Sequence, residues 1–194
     1  MLCKVTNIDY MPLKNNLIPQ LVEATFADYP TIQNMGRFYV YDLSRHCGLK
    51  TDHNWACPAD GLYECIDLKK YFIENDSHSF LVKIDEELAG FVLIDKVGLK
   101  KTTEWNIGEF YIVAKFQGTG VAAQVLAKFF GKWEVSAIPE NTPAVKFWRK
   151  TIAKVTSGNY QEDSKKVDYD DDQPNRIVFS FDSQNIKNMN FIKL

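Results

Sequence analysis

The stretch EFYIVAKFQGTGVAAQVLAKFF, residues 109–130, restricts the fold more than any other part of the chain. A β-prone run ends in a turn broken by two glycines, and the turn opens a segment with helical periodicity. Val121, Ala122, Val125, Leu126, Phe129 and Phe130 fall in pairs four apart, with Gln124 and Lys128 on the other side. That spacing predicts an amphipathic helix, which Gly131 would stop. A strand, a turn and a helix joined this way must pack one helical stripe against a sheet.

The flanking segments say which kind of sheet. SFLVKID and LAGFVLIDKV are apolar, β-branched runs separated by two glutamates, the pattern of a hairpin. TTEWNIGEFYIV (102–113) predicts a third long strand and WEVSAI (133–138) another. TPAVKFWRKTIAKV (142–155) predicts a helix with Thr142 as N-cap and Pro143 in its first turn. GNYQED and NRIVFSFD predict a closing hairpin around the acidic turn DYDDDQP, a solvated tip. Upstream, LCKVTNI (2–8) predicts a short strand, and residues 12–29 a helix on Leu13, Leu17, Leu21, Val22 and Phe26 with Pro19 as an irregularity. Residues 34–46 predict a second helix, 47–60 a loop, and 61–68 a strand or an extended connector. From residue 80 the order is β-β-β-α-β-α-β-β. That order predicts an α/β (α+β) chain with a mixed, mostly antiparallel twisted sheet carrying helices.

Two functions are open to the turn Gln117–Ala122. Glycine-containing turns between strand and helix are common as plain connections. The same geometry, however, exposes the unpaired N–H groups at a helix start, and glycine lets a phosphate come close to them. The Gly-Lys-Ser/Thr of a nucleotide-triphosphate loop is missing. So is the third glycine of the dinucleotide fingerprint, where Ala123 stands. A formal net charge of −2 speaks against a general nucleic-acid binder. The opening residues MLCKVTNIDYMPLKNN do not read as a signal peptide, and no apolar run reaches the length of a membrane span. Cys3, Cys47, Cys57 and Cys65 form no tight framework and read as reduced thiols, hence a cytoplasmic expectation.

With its neighbours, the turn resembles the acyl-CoA-binding motif of the GNAT acetyltransferases, Gln/Arg-x-x-Gly-x-Gly/Ala after a strand. Gln117, Gly120 and Ala122 fill that pattern, and Gly118 matches its usual start. Downstream the family shows a strand, an Asn and a helix with an aromatic pair; here these are WEVSAI, Asn141, Ala144 and Phe147–Trp148. GRFYVYD, ELAGFVLID and AVKFWRK are also similar to a bacterial branch of the family without an assigned substrate. The resemblance implies one domain over residues 1–194. Residues 1–79 would supply helices and acceptor-side elements, 80–160 the acyl-CoA core with splayed central strands and helices on both sheet faces, and 158–194 the closing hairpin and tail.

It further implies acetyl transfer from acetyl-CoA to a primary amine of a small molecule or peptide, directly in a ternary complex, by a monomer or homodimer. Phe110, Tyr111, Ile112 and Val113 would pair with the pantetheine amides and polarise the thioester. The N–H groups of Gly118, Thr119, Gly120, Val121 and Ala122 would hold the pyrophosphate, and Asn141 would hydrogen-bond the pantetheine, its side chain left free by the cap at Thr142. Glu109, an acid inside an otherwise apolar strand, is the expected base, because burial would raise its pKa toward neutrality. The alternative for Glu109 is a strand-end carboxylate reaching solvent or a lysine. Many family members carry a Tyr where Trp148 stands, and an indole N–H donates a hydrogen bond but not a proton. That departure favours a second reading, a catalytically silent acyl-CoA sensor or scaffold.

Phe38, Tyr39, Tyr41 and Asp42 fall in the region that shapes the acceptor pocket in similar proteins, or else belong to a core stripe. His46, Cys47, His53, Cys57 and Cys65 match no standard metal-ligand spacing, and DYDDD lacks the Gly and terminal Glu of a calcium loop, so no metal is expected.

Overall fold

A computed structural model describes residues 17–50, 55–98 and 100–183; the expected strand 2–8, Cys3 and His53 lie outside them. Among the described residues, seven strands form one sheet in the order β1-β2-β3-β4-β5-β7-β6. They are β1 (Pro19–Glu23), β2 (His78–Ile84), β3 (Glu87–Asp95), β4 (Trp105–Ile112), β5 (Lys132–Ala137), β6 (Tyr160–Lys166) and β7 (Asn175–Asp182). Of these strands only β4 and β5 are parallel neighbours; every other pair is antiparallel. The same residues form four α-helices: α1 (Tyr29–Cys47), α2 (Lys70–Ile73), α3 (Val121–Leu126) and α4 (Thr142–Val155).

The period-2 pattern of the strands feeds two cores. On one face Phe80, Val82, Val92, Ile94, Ile107 and Val135 meet Val121 and Val125 of α3 and Val145, Trp148 and Ile152 of α4. On the other, Leu81, Phe91, Leu93 and Tyr111 meet Ile32 and Met35 of α1 and Tyr71 of α2. Helices therefore cover both faces, as the family pattern implies.

Three local expectations change. Residues 17–25 do not form a helix; Phe26–Asp28 make one 3-10 turn that leads into α1 at Tyr29. Pro19 removes a helical hydrogen bond but is tolerated as the first residue of an edge strand, so PQLVE pairs with β2 instead. Helix α3 spans six residues, not the whole stripe to Phe130. Past Leu126 the chain tightens to i→i−3 bonds, Lys128 N–H to Val125 O at 3.0 Å and Phe129 N–H to Leu126 O at 3.2 Å. Ser183 Oγ then donates to the carbonyl of Phe129 at 2.8 Å, and the Phe129 ring packs on Phe80 and Trp133. Finally, Asn141 and not Thr142 is the N-cap of α4, its Oδ1 accepting from Ala144 N–H at 3.3 Å. Residues 61–68 form a connector without a strand.

Candidate active site

The parallel seam is short. Trp105↔Trp133, Asn106↔Glu134 and Ile107↔Val135 are the residue pairs joining β4 to β5, while β4 continues to Ile112 beside β3. Beyond Ile107 and Val135 the two strands part. The cleft that opens there has a volume of about 770 Å³ and is lined by Gly108, Glu109, Phe110, Ser136, Asn141 and Trp148 among others.

A bulge at the mouth of the seam decides which way the acid faces. Leu93 pairs with Glu109 but Ile94 pairs with Ile107, so Gly108 is the extra residue. Before it, Trp105 and Ile107 belong to the α3/α4 core; after it, Phe110 and Ile112 do, and Tyr111 joins the α1/α2 core. Strict alternation would have put Glu109 with Ile107. The bulge turns it to the opposite face, toward α1 and α2. A Cβ on Gly108 would lie 2.2 Å from the Tyr71 hydroxyl and 3.0 Å from Asp95 Oδ2, so this position has room for glycine alone. An isolated glycine inside a strand pattern was a legible signal for such a bulge.

Desolvation is the main cause that raises the Glu109 carboxyl from 4.5 to about 7. The neighbouring Tyr39 hydroxyl and Lys70 pull the value down, while Asp95 pushes it up. Burial, with Glu109 behind it, holds the Tyr39 phenol well above its ordinary value, so Tyr39 stays protonated. Beside them Asp95, 3% exposed, accepts from Asn106 Nδ2 at 2.7 Å, Val97 N–H at 3.1 Å and Lys70 Nζ at 3.2 Å. Sequence reading missed this network because its members come from separate elements.

The far side of the cleft is built by β5 and the β6–β7 connection. Ser136, the first β5 residue past the seam, lies 3.1 Å from the Tyr169 hydroxyl. Tyr169 packs on Gly98, where a Cβ would come within 2.5 Å of its ring. Burial raises the Tyr169 phenol above its ordinary value. The acidic turn, expected as a solvated tip, thus contributes cleft-lining residues.

The remaining expected residues fall into distinct surroundings. Phe110, Phe147 and Trp148 form one aromatic cluster, with Phe110 and Phe147 stacked at 6.0 Å and Trp148 5.4 Å from Phe110. Trp148 is 5% exposed and is as much core as lining. Gly118, Thr119 and Gly120 are exposed, and both glycines have positive φ, +75° and +87°. Space in front of each is open, with nothing within 4 Å of an added Cβ. The first helical bond of α3 is Gln124 N–H to Gly120 O at 3.2 Å, so the N–H groups of Val121, Ala122 and Ala123 precede it. Gln117 Nε2 donates to Ile112 O at 2.8 Å and Asp42 Oδ2 at 3.2 Å, which ties the turn to α1. Tyr39 lines the cleft; Phe38 and Tyr41 are exposed on the outer side of α1, with Tyr41 against Tyr63. Among the described residues no cluster of His, Cys, Asp or Glu could hold a metal, and no helix is long and apolar enough to cross a membrane.

The acetyltransferase (GNAT) family matches residues 39–152. No curated protein matches the chain. Among solved structures, an acetyltransferase from Thermus thermophilus superposes with a TM-score of 0.57 at 16% identity, over 86% of this chain and 97% of that one. Spermidine/spermine N-acetyltransferase SpeG from Vibrio cholerae gives 0.52 at 15% identity, over 87% and 94%. An acetyltransferase from Streptococcus agalactiae gives 0.51 at 11% identity, over 84% and 97%.

Proposed function

The chain belongs to the GNAT acetyltransferase family, and from that premise we propose that it moves an acetyl group from acetyl-CoA to a primary amine by direct transfer in a ternary complex. The observation that carries this reading is the parted β4–β5 seam with Glu109 turned into it by the Gly108 bulge.

The open glycine turn suits the pyrophosphate of the donor, held by backbone N–H groups from Gly118 to Ala123. With α3 only six residues long, those individual groups matter more than a helix macrodipole. Asn141 spends its carbonyl on the cap, which leaves its Nδ2 amide, on the cleft lining, to donate to the pantetheine. Phe110 and Trp148 line the cleft, and Phe147 stacks behind Phe110.

Glu109 takes a proton from the acceptor ammonium, and a group that ionises near neutrality is matched to that step. The freed nitrogen lone pair attacks the thioester carbonyl carbon, the C–S bond breaks, and its electron pair leaves on sulfur. Trp148 cannot supply the proton that sulfur then takes. Tyr169, hydrogen-bonded to Ser136 at the edge of the seam, is the phenol assigned to that role; the second proton shed by the nitrogen as the amide forms passes through water back to Tyr169, and the proton held by Glu109 leaves to solvent. The balance is one amide, one thiol and one released proton from one ammonium and one thioester.

Gly120→Glu tests the donor end. It sets bulk and negative charge against the pyrophosphate at a residue with φ of +87°. Thermal shift should show wild type stabilised by CoA but not by ATP or NAD, and the variant unresponsive to CoA. Equal CoA affinity in the two would refute the cradle. CoA binding without thiol release over an amine panel would instead support a silent sensor.

A further inference from the structure

The β6–β7 connection is drawn back onto the cleft by a buried arginine. Arg176, 7% exposed, donates through Nη1 to the carbonyls of Gln173 and Asn175 and through Nη2 to the Asp170 carboxylate. Asp170 Oδ1 in turn accepts the Gln173 N–H at 2.9 Å. The backbone of Gln173 is thereby fixed, yet its side chain, on the cleft lining and 9% exposed, has no hydrogen-bond partner for either Nε2 or Oε1 among the described residues. Buried amides are nearly always satisfied, so this one is short of a partner.

The charges around it are unequal. Among the described residues six carboxylates line the cleft: Asp60, Glu64, Asp95, Glu109, Asp170 and Asp172. The two cations there are already paired, Lys70 with Asp95 and Arg176 with Asp170. Asp60 and Glu64 on the connector after α1, Asp172 on the β6–β7 connection and Glu109 between them have no ion-pair partner among the described residues. An apolar-walled cleft with an excess of negative charge concentrates cations and repels anions.

We propose that the acceptor is a linear diamine whose second, distal ammonium is held at the β6–β7 wall by the charge of Asp172 and the Gln173 Oε1 acceptor. This rests on the acetyl-transfer reading and names its substrate class. The reacting amine sits at Glu109, and the distal cation supplies the donor that Gln173 Oε1 lacks. A monoamine fills only the first position, and an amine carrying a carboxylate meets repulsion from both walls.

Thiol release from acetyl-CoA is measured with 1,4-diaminobutane, 1,5-diaminopentane, butylamine and glutamate as acceptors, in wild type, Asp172→Asn and Gln173→Ala, with CoA affinity measured in parallel. The expected result is a kcat/KM at least about tenfold higher for one of the diamines than for butylamine, with glutamate inert. Asp172→Asn should lower that preference about tenfold through KM, at unaltered CoA affinity, and Gln173→Ala should lower it in the same direction. Equal use of butylamine and diamines, or an Asp172→Asn variant that keeps the preference, overturns the proposal. CoA binding with no diamine turned over overturns it and leaves the donor reading standing. Wild type that binds no CoA overturns both.

Discussion

Replacing Glu109 with glutamine separates the cost of a half-buried acid from its use. The unfolded chain ionises this carboxyl near 4.5 and the folded chain near 7. Between those values the folded state keeps a proton that the unfolded state has released. Stability therefore falls as pH rises from about 4.5 to about 7 and is level above that. At about 1.4 kcal/mol per tenfold change in the ionisation constant, the full penalty is about 3 kcal/mol. Glutamine keeps the volume and an oxygen beside the Tyr39 hydroxyl but carries no charge to desolvate. Urea unfolding of the two proteins from about pH 4 to about pH 8 should give curves that coincide at the acid end. They should separate to about 3 kcal/mol in favour of Glu109→Gln at the alkaline end. In turnover the order reverses: the variant is slow near neutrality, and the rising limb of wild-type activity, with its midpoint about 7, disappears. A stability difference constant across pH would refute the reasoning, because it would mean that Glu109 ionises as it does in the unfolded chain.

Gly108→Ala should destabilise by about 1–3 kcal/mol in the same unfolding assay, since its Cβ would strike the buried Tyr71 hydroxyl at 2.2 Å; wild-type stability would show that the bulge can relax. Tyr169→Phe should lower kcat about a hundredfold at unaltered CoA affinity and alter the alkaline limb of the pH profile, and an unchanged kcat would remove Tyr169 as the proton donor.

Much of the molecule was readable in the chain because its signals were local. The hairpin of β2 and β3 announced itself as two β-branched runs two residues apart, and the glycine turn lay between a strand and an apolar stripe. The misreadings have a common physical origin in groups that distant residues claim. Leu21 suits a helical stripe or an alternating strand equally well, and its pairing with Val82 of β2 chose the strand. The stripe through Phe129 and Phe130 is helical in sequence, but Ser183 and the aromatic contacts of Phe129 end the helix at Leu126. Glu109 stood out by type alone. The face it presents depends on one extra residue in β4, and its partners Tyr39 and Lys70 come from elements that only the fold brings to it. The acidic turn looked solvated because Arg176, which folds it inward, is an ordinary strand residue in sequence.

The three-pair seam has a consequence for the sheet as an object. Every open sheet has two outer borders, here β1 and β6, but this one also has two inner borders where β4 and β5 face each other unpaired. The molecule is in effect two antiparallel ribbons stitched at one end. Unpaired strand borders invite any extended chain that can offer complementary amides. A donor bearing two amides in an extended arm would be bound as a substrate and would also lace the ribbons together, so the protein should be mechanically stiffest when it is charged with its donor.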